Sequence, residues 1–294
     1  MKIGITGATG LLGKHATQLL ESLGHEIIGF SRSAPLDSKT RRFADPLDVS
    51  GLDAVVHLAG EPIMGLWTKA KRQRILESRD EGTQIVARAI QEATDPPTIL
   101  VSASGTNGYG HRGDDELTES EPFGEGFLQD VVKRWESAAE QAASPDTRVT
   151  MLRFGMILAR EGGAGKMLHK IFRTGLAGRV GSGNQWMPWI HIEDAVRMIA
   201  FALETDSLCG PCNACSPHPV TNSEFTTAMA SVANRPALIP APAFALRLGM
   251  GELSQLALDS IRAVPCKLID AGFAFEHPKI DDALSDLYGQ NNQK

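Results

Sequence analysis

Between an apolar run, Ile3 to Ile5, and a helical pattern opening at Leu11, the segment Thr6-Gly7-Ala8-Thr9-Gly10-Leu11-Leu12-Gly13 sets three glycines at regular intervals of three. This pattern suits the binding of a pyrophosphate. Gly7 permits a sharp turn, Gly10 lets backbone approach the phosphates, and Gly13 lets helix pack close to strand. The N–H groups and dipole of the helix start attract the anion. Thr9, Leu11 and Leu12 complete the expected cradle. At the end of the second strand, a dinucleotide fold commonly carries a carboxylate for the ribose 2'-hydroxyl; here the chain reads Phe30-Ser31-Arg32-Ser33. With no acid there and a guanidinium able to grip phosphate with two bonds, Ser31 and Arg32 point to NADP rather than NAD.

Other reactive side chains read more blandly. Cys209, Cys212 and Cys215 form C-x2-C-x2-C, but His218-Pro219 stands where a cluster-binding run needs its fourth cysteine, so packed thiols are expected. His191 precedes Glu193-Asp194, and the two acids read as first-turn carboxylates of a helix over Ala195 to Leu203. His191 then stands as a pocket wall or a proton-transfer group, and no metal site is expected. Trp67, Trp186 and Trp189 offer flat faces to a ring or sugar, or simply fill the core, with Gln185 and Lys166 as polar substrate contacts.

Positioning these residues requires a layered scaffold. Strand-like runs at Ile3 to Ile5, His25 to Phe30, Ala54 to Ala59, Thr98 to Ser102 and Val149 to Phe154 alternate with helical stretches at Leu11 to Leu23, Thr68 to Ala93 and the stripe from Phe127 to Ala139. Near-continuous apolar strands separated by helices predict an α/β fold with a Rossmann-type doubly wound parallel sheet. Beyond Arg160 seven glycines suggest a loop-rich region, then a smaller, mainly helical C-terminal substrate lobe. Thr221-Asn222-Ser223-Glu224 there has the pattern of a capping box. The division expected is a dinucleotide-binding core over 1–160, with 186–220 returning to it, and a substrate lobe over 161–294.

The 294 residues suffice for a sizeable core, and 42% hydrophobic with 22% charged residues disfavours disordered and disulfide-scaffold classes. A net charge of -6 without a block of Lys and Arg argues against nucleic-acid and membrane partners, leaving a small-molecule substrate or ligand and an open oligomeric state. Four clustered cysteines and no recognisable signal region fit a reduced, cytoplasmic protein.

The glycine segment resembles the short-chain dehydrogenase/reductase superfamily in its extended or atypical form. His57-Leu58-Ala59-Gly60, Val101-Ser102-Ala103-Ser104, Arg153-Phe154-Gly155-Met156 and Trp189-Ile190-His191-Ile192-Glu193-Asp194 carry the same resemblance. More narrowly, Trp67-Thr68, Ser78-Arg79, Gly181-Ser182-Gly183-Asn184-Gln185 and Val264-Pro265-Cys266-Lys267 are similar to the epimerase-like 39U group. The resemblance implies cofactor contacts at Leu58, Ala59, Gly60, Arg153 and Gly155, and makes Ser104 the counterpart of the superfamily's catalytic serine. That chemistry also requires a Tyr with a Lys four residues later, to hold the nicotinamide ribose and trade a proton during hydride transfer. Neither Tyr109 nor Tyr288 has such a Lys, and the helix expected to carry the pair shows Phe127, Leu128, Val131 and Val132 instead. Tyr109 is the phenol placed to substitute. Two functions follow: an NADP-dependent, epimerase-like oxidoreductase using Ser104, Tyr109, His191 or water, or a noncatalytic NADPH-binding regulatory or sensor protein.

Overall fold

Short apolar runs flanked by glycine and proline become strands, and the longer stripes at helical spacing become helices that cover them. A computed structural model describes residues 1–32 and 39–289; Ser33, beside Arg32, lies outside the described residues. The chain runs β1 (Lys2–Thr6), α1 (Leu11–Ser22), β2 (Glu26–Ser31), β3 (Thr40–Arg42), β4 (Ala54–His57), α2 (Lys69–Glu92), β5 (Ile99–Gly105), β6 (Glu116–Leu117), α3 (Phe127–Glu140) and β7 (Arg148–Phe154). It continues through β8 (Met156–Leu158), α4 (Gly163–Arg173), β9 (Trp186–Met187), β10 (Trp189–His191), α5 (Ile192–Glu204) and β11 (Gly210–Ala214). The last part holds β12 (Val220–Thr221), α6 (Asn222–Ala233), α7 (Ala243–Met250), α8 (Gln255–Leu258), β13 (Arg262–Ala263), α9 (Cys266–Asp270) and α10 (Ile280–Tyr288).

Seven strands form one parallel sheet in the order β11-β7-β5-β4-β1-β2-β3. The chain builds outward from β1 to β3, then crosses back to β4 and builds the other way, so the order reverses between β1 and β4. In such sheets ligands bind outside the carboxyl ends of the strands at that switch point. Helices α1 and α5 pack together on one face, and α2 and α3 on the other. Ile3, Ile5, Val56 and Val101 meet Ala16, Leu20 and Ile199 on the first face; Ile28, Val55, Leu100 and Met151 meet Val86, Ile90 and Ala139 on the second. Burial on both faces is why these strands read as continuous apolar runs.

The expectations shift at three places. β4 ends at His57 rather than Ala59, because the Leu58 and Ala59 N–H groups turn to donate to Thr6 Oγ1, each at 3.2 Å. β3 was not visible as a strand. The region after Arg160, read as loops, contains α4, whose Leu168 and Phe172 side chains pack into the C-terminal lobe. The capping box at Thr221 is present with both of its reciprocal bonds. No helix among the described residues is long and apolar enough to cross a membrane.

Candidate dinucleotide site

The glycine loop leaves β1 at the switch point. Gly7 has φ +71, and a Cβ there would lie 2.9 Å from the Ala59 nitrogen, so this turn demands glycine twice over. A Cβ on Gly13 would run into the Gly7 carbonyl, which fixes the close seat of α1 against the loop. Gly10 differs. It is exposed, has the ordinary φ of -72, and a Cβ there would meet only the Gly7 oxygen at 3.2 Å. The fold therefore tolerates a side chain at Gly10, and what the position keeps clear is space outside the protein. No side chain caps α1 and no carboxylate lies in its first turn, so the Leu11, Leu12 and Gly13 end carries an uncompensated positive dipole. Thr9 is exposed at the rim.

Across the crevice, Leu58, Ala59 and Gly60 leave β4. Thr6 Oγ1 holds the Leu58 and Ala59 N–H groups and contacts His57 Nδ1 at 2.7 Å, while His57 Nε2 reaches Thr83 Oγ1 at 3.0 Å. Burial pushes the His57 pKa down to about 4, with Arg79 adding to the effect, so the ring is neutral. Arg79 packs beneath Gly60, donates to the Glu61 carbonyl at 2.9 Å and lies over the Trp135 ring. Burial lowers its pKa to about 10, which still leaves a cation below the loop after β4.

At the end of β2, Ser31 pairs in register with Arg42 of β3, and Arg42 donates to the Arg32 carbonyl at 2.6 Å. Both arginines are exposed. A second guanidinium thus stands beside the one expected from sequence. Arg42 escaped the sequence reading because its proximity depends on a three-residue strand.

Beside β5 and β7, α3 covers a buried polar chain. Leu128, Val132 and Glu136 succeed one another at i, i+4 and i+8 on the buried side of α3. Of the residues standing where the resemblance expects the Tyr and Lys, Leu128, Val131 and Val132 are buried and Phe127 is half-buried; Lys133 is exposed on another side. Glu136 accepts two bonds from Arg153, both at 2.7 Å, and one from the Ser104 hydroxyl at 2.6 Å. Arg153 also donates to the Tyr109 hydroxyl at 2.9 Å. Burial works against the Arg153 cation, but the Glu136 carboxylate more than offsets this and holds its pKa above the ordinary arginine value. The Tyr109 hydroxyl donates toward Asn213 Oδ1 at 2.8 Å, with the Thr118 carbonyl at 3.0 Å. Tyr109 is 1% exposed, and burial raises its pKa to about 12 even with Arg153 opposing.

These contacts revise several expectations. Tyr109, expected as the phenol placed to substitute, is buried in the core and ties loop to sheet. The Arg153 guanidinium bonds Glu136 and Tyr109. Gly155 is required because a Cβ would fall 2.8 Å from the Pro188 carbonyl, a packing reason. Trp189 is fully buried with its indole N–H donating to the His218 carbonyl, and Gln185 donates to the Val180 and Ala257 carbonyls, so neither presents a face to substrate. Trp67 is half-buried against Phe127 beside Arg72, and Trp186 is half-buried, donating to Asp114 with Arg262 over its ring. Lys166 donates to the Glu161 carbonyl. Cys212 and Cys215 are buried, and burial raises both thiols, Cys212 to about 12, which suits packed thiols; Cys209 is exposed, because it lies just before β11 enters the sheet, so the packed-thiol reading fails there.

His191 caps α5: its Nδ1 accepts from the Glu193 N–H at 3.2 Å. His277 stacks on it, and Asp286 lies 3.4 Å from its Nε2. An Nδ1 that accepts places the proton of the neutral ring on Nε2. That nitrogen faces Asp286, and His191, His277 and Asp286 bring three possible ligand atoms within 4.8 Å of one another, a grouping the sequence did not suggest. Burial, and then His277, hold the His191 pKa down, in keeping with the neutral form.

A doubly wound sheet with an unobstructed glycine cradle at its switch point and a second, helical lobe defines a dinucleotide-binding protein of the short-chain dehydrogenase/reductase type. Residues 3–214 match the NAD dependent epimerase/dehydratase family, and residues 241–287 match a domain of unknown function, DUF1731. The chain belongs to this epimerase/dehydratase family. It is 35% identical over 297 residues to the epimerase family protein YfhF of Bacillus subtilis, covering 98% of each chain. It is 38% identical to the epimerase family protein SDR39U1 of Bos taurus over 98% of this chain and 99% of that one. The crystal structure of human SDR39U1 with NADPH superposes with a TM-score of 0.92 at 33% identity, covering 99% of this chain and all of the other.

Proposed function

We propose that this protein binds NADP(H) and holds it as a ligand, without passing its hydride to a carbonyl substrate. Gly7, Gly10, Gly13 and the α1 N-terminus would hold the pyrophosphate, and Arg32 with Arg42 the 2'-phosphate. The NADPH in the human relative's structure supports the choice of dinucleotide. Bound NADPH supplies a hydride, and reducing a carbonyl also requires a proton at its oxygen. The observation that carries the reading is the direction of the Ser104 bond. Glu136 takes two bonds from the Arg153 guanidinium and one from the Ser104 hydroxyl, so the Ser104 proton is committed to Glu136. Toward a ligand Ser104 offers lone pairs alone. Tyr109 is buried with its proton engaged, and Leu128 and Val132 carry none to give. The reading agrees with a small-molecule ligand in a reducing, cytoplasmic setting.

The test is NADPH consumption, followed at the nicotinamide absorbance, over a panel of aldehydes, ketones and nucleotide sugars, alongside a fluorescence titration of NADPH. Tight binding with turnover at the uncatalysed rate is expected. Turnover abolished by Ser104→Ala or Tyr109→Phe would establish the oxidoreductase instead.

A further inference from the structure

The net charge of -6 conceals a local reversal. Residues 162–192 and 225–251 contain Lys166, Lys170, Arg173, Arg179, Arg235 and Arg247 and not one Asp or Glu. The fold brings these two acid-free stretches together. The Ile239 N–H donates to the Ala177 carbonyl, Ala241 to Arg179, and Gly181 to Ala241, so the chain leaving α4 runs beside the chain entering α7. Arg235 lies against Gly175, at the end of α4, and Ala243 against Gly181.

Along this seam, large apolar side chains stand in solvent. Leu176 is 66% exposed, Leu238 77%, Phe244 73% and Leu248 87%, with Ile239 beside them. Phe244 and Leu248 are four apart and share one face of α7, a helix with no buried residue. Isolated exposed leucines are ordinary, but a contiguous set this exposed marks a contact surface. Lys170, Arg173, Arg179, Arg235 and Arg247 are exposed among them.

The geometry points to peripheral docking of this seam on an anionic phospholipid bilayer, with Leu238, Phe244 and Leu248 entering the acyl boundary and the cations facing lipid phosphates. A second copy of the chain would bring like charges together, five exposed cations against five, which opposes self-association. A folded acidic partner would need a shaped socket for each of several side chains projecting from separate segments; a fluid bilayer accepts them without one. Basic side chains interleaved with protruding apolar ones are what interfacial binding uses, apolar burial and charge attraction acting together.

The experiment is co-sedimentation of the full chain with vesicles of phosphatidylcholine alone and of phosphatidylcholine with phosphatidylglycerol at about two to one. Two variants accompany wild type: Phe244→Asp with Leu248→Asp, and Lys170→Glu with Arg173→Glu. NADPH titration of each variant reports folding, since none of these residues belongs to the cradle. Binding to the anionic vesicles only, weakened by salt, is expected. Each neutralised cation should cost roughly fivefold, and each reversed cation more. The apolar variant should lose sedimentation while keeping NADPH affinity. Equal binding to both vesicle types, no binding to either, or anionic binding that survives both variants would overturn the proposal. A concentration-dependent dimer in lipid-free solution that the apolar variant dissociates would give the seam to a second copy instead.

Discussion

Gly10 and Gly13 are equivalent in the sequence pattern and opposite in the fold. A side chain at Gly13 collides with the Gly7 carbonyl, whereas one at Gly10 points into space that the protein does not fill. Gly10→Val should therefore melt as wild type and lose NADPH in a fluorescence titration, while Gly13→Val should fail to fold. Retained affinity in a folded Gly10→Val protein would reduce the loop to a structural turn. The arginines divide similarly. Arg32→Ala and Arg42→Ala should each weaken NADPH about tenfold or more and leave NADH unchanged, the value of a charge-assisted bond to the 2'-phosphate. Equal losses for both dinucleotides would assign Arg42 to holding the Arg32 backbone. Arg32 was legible because its neighbours in sequence place it at a strand end. Arg42 was not, since only pairing of β2 with β3 brings it there. Glu136 left a fainter signal, a carboxylate on the apolar stripe of α3. Its meaning needed Ser104 and Arg153, which lie 32 and 17 residues away along the chain.

The strands and helices that announce themselves by period came through, and those governed by glycine packing did not. In α4, Gly165 reads as a loop residue. In fact a Cβ there would lie 2.8 Å from the Tyr288 hydroxyl and 3.1 Å from the Ala159 nitrogen, so glycine lets the helix sit down on β8 and α10. The same close fitting explains why β4 stops where it does. His57 bridges Thr6 of β1 and Thr83 of α2 and is fully buried, so charging it costs the folded state. Its folded pKa, about 4, lies below the ordinary 6.5. Between these values the unfolded chain binds the proton and the native one does not, so stability falls as pH drops from about 6.5 towards 4. The loss is on the order of 3 kcal/mol for that shift. Thermal melts across this range should show His57→Gln less stable at neutral pH but with a shallower acid decline than wild type. Parallel declines would mean that carboxylates elsewhere set the acid limit.

Net charge and residue totals describe the molecule as an acidic globule and hide both its basic apolar seam and the way its lobes are joined. Beside the apolar packing of Leu268 and Phe273 against the sheet, a polar tie runs through Asn213 on β11. Asn213 donates to the Leu117 and Val264 carbonyls, at 3.1 and 2.8 Å, and accepts from Tyr109. Its own N–H donates to Glu119 Oε1, which also receives the Lys267 N–H. One buried amide thus ties the edge of the sheet, the loop after β5 and the Val264-Pro265-Cys266-Lys267 turn of the C-terminal lobe. Asn213→Ala leaves the Val264 carbonyl without the amide and takes one of several partners from the Leu117 carbonyl and the Tyr109 phenol, at a cost of roughly 1 to 3 kcal/mol and a fall in melting temperature of about 2 to 5 °C. The loss should be local. Asn213 does not touch the glycine cradle, which β1, α1 and the end of β4 hold by their own contacts. Limited proteolysis with mass mapping should find early cleavage within residues 241–287 in the variant, while NADPH affinity stays near wild type. Cleavage spread evenly over the chain, or NADPH affinity lost in step with lobe protection, would instead make the two lobes one cooperative unit in which the cradle depends on the C-terminal turn.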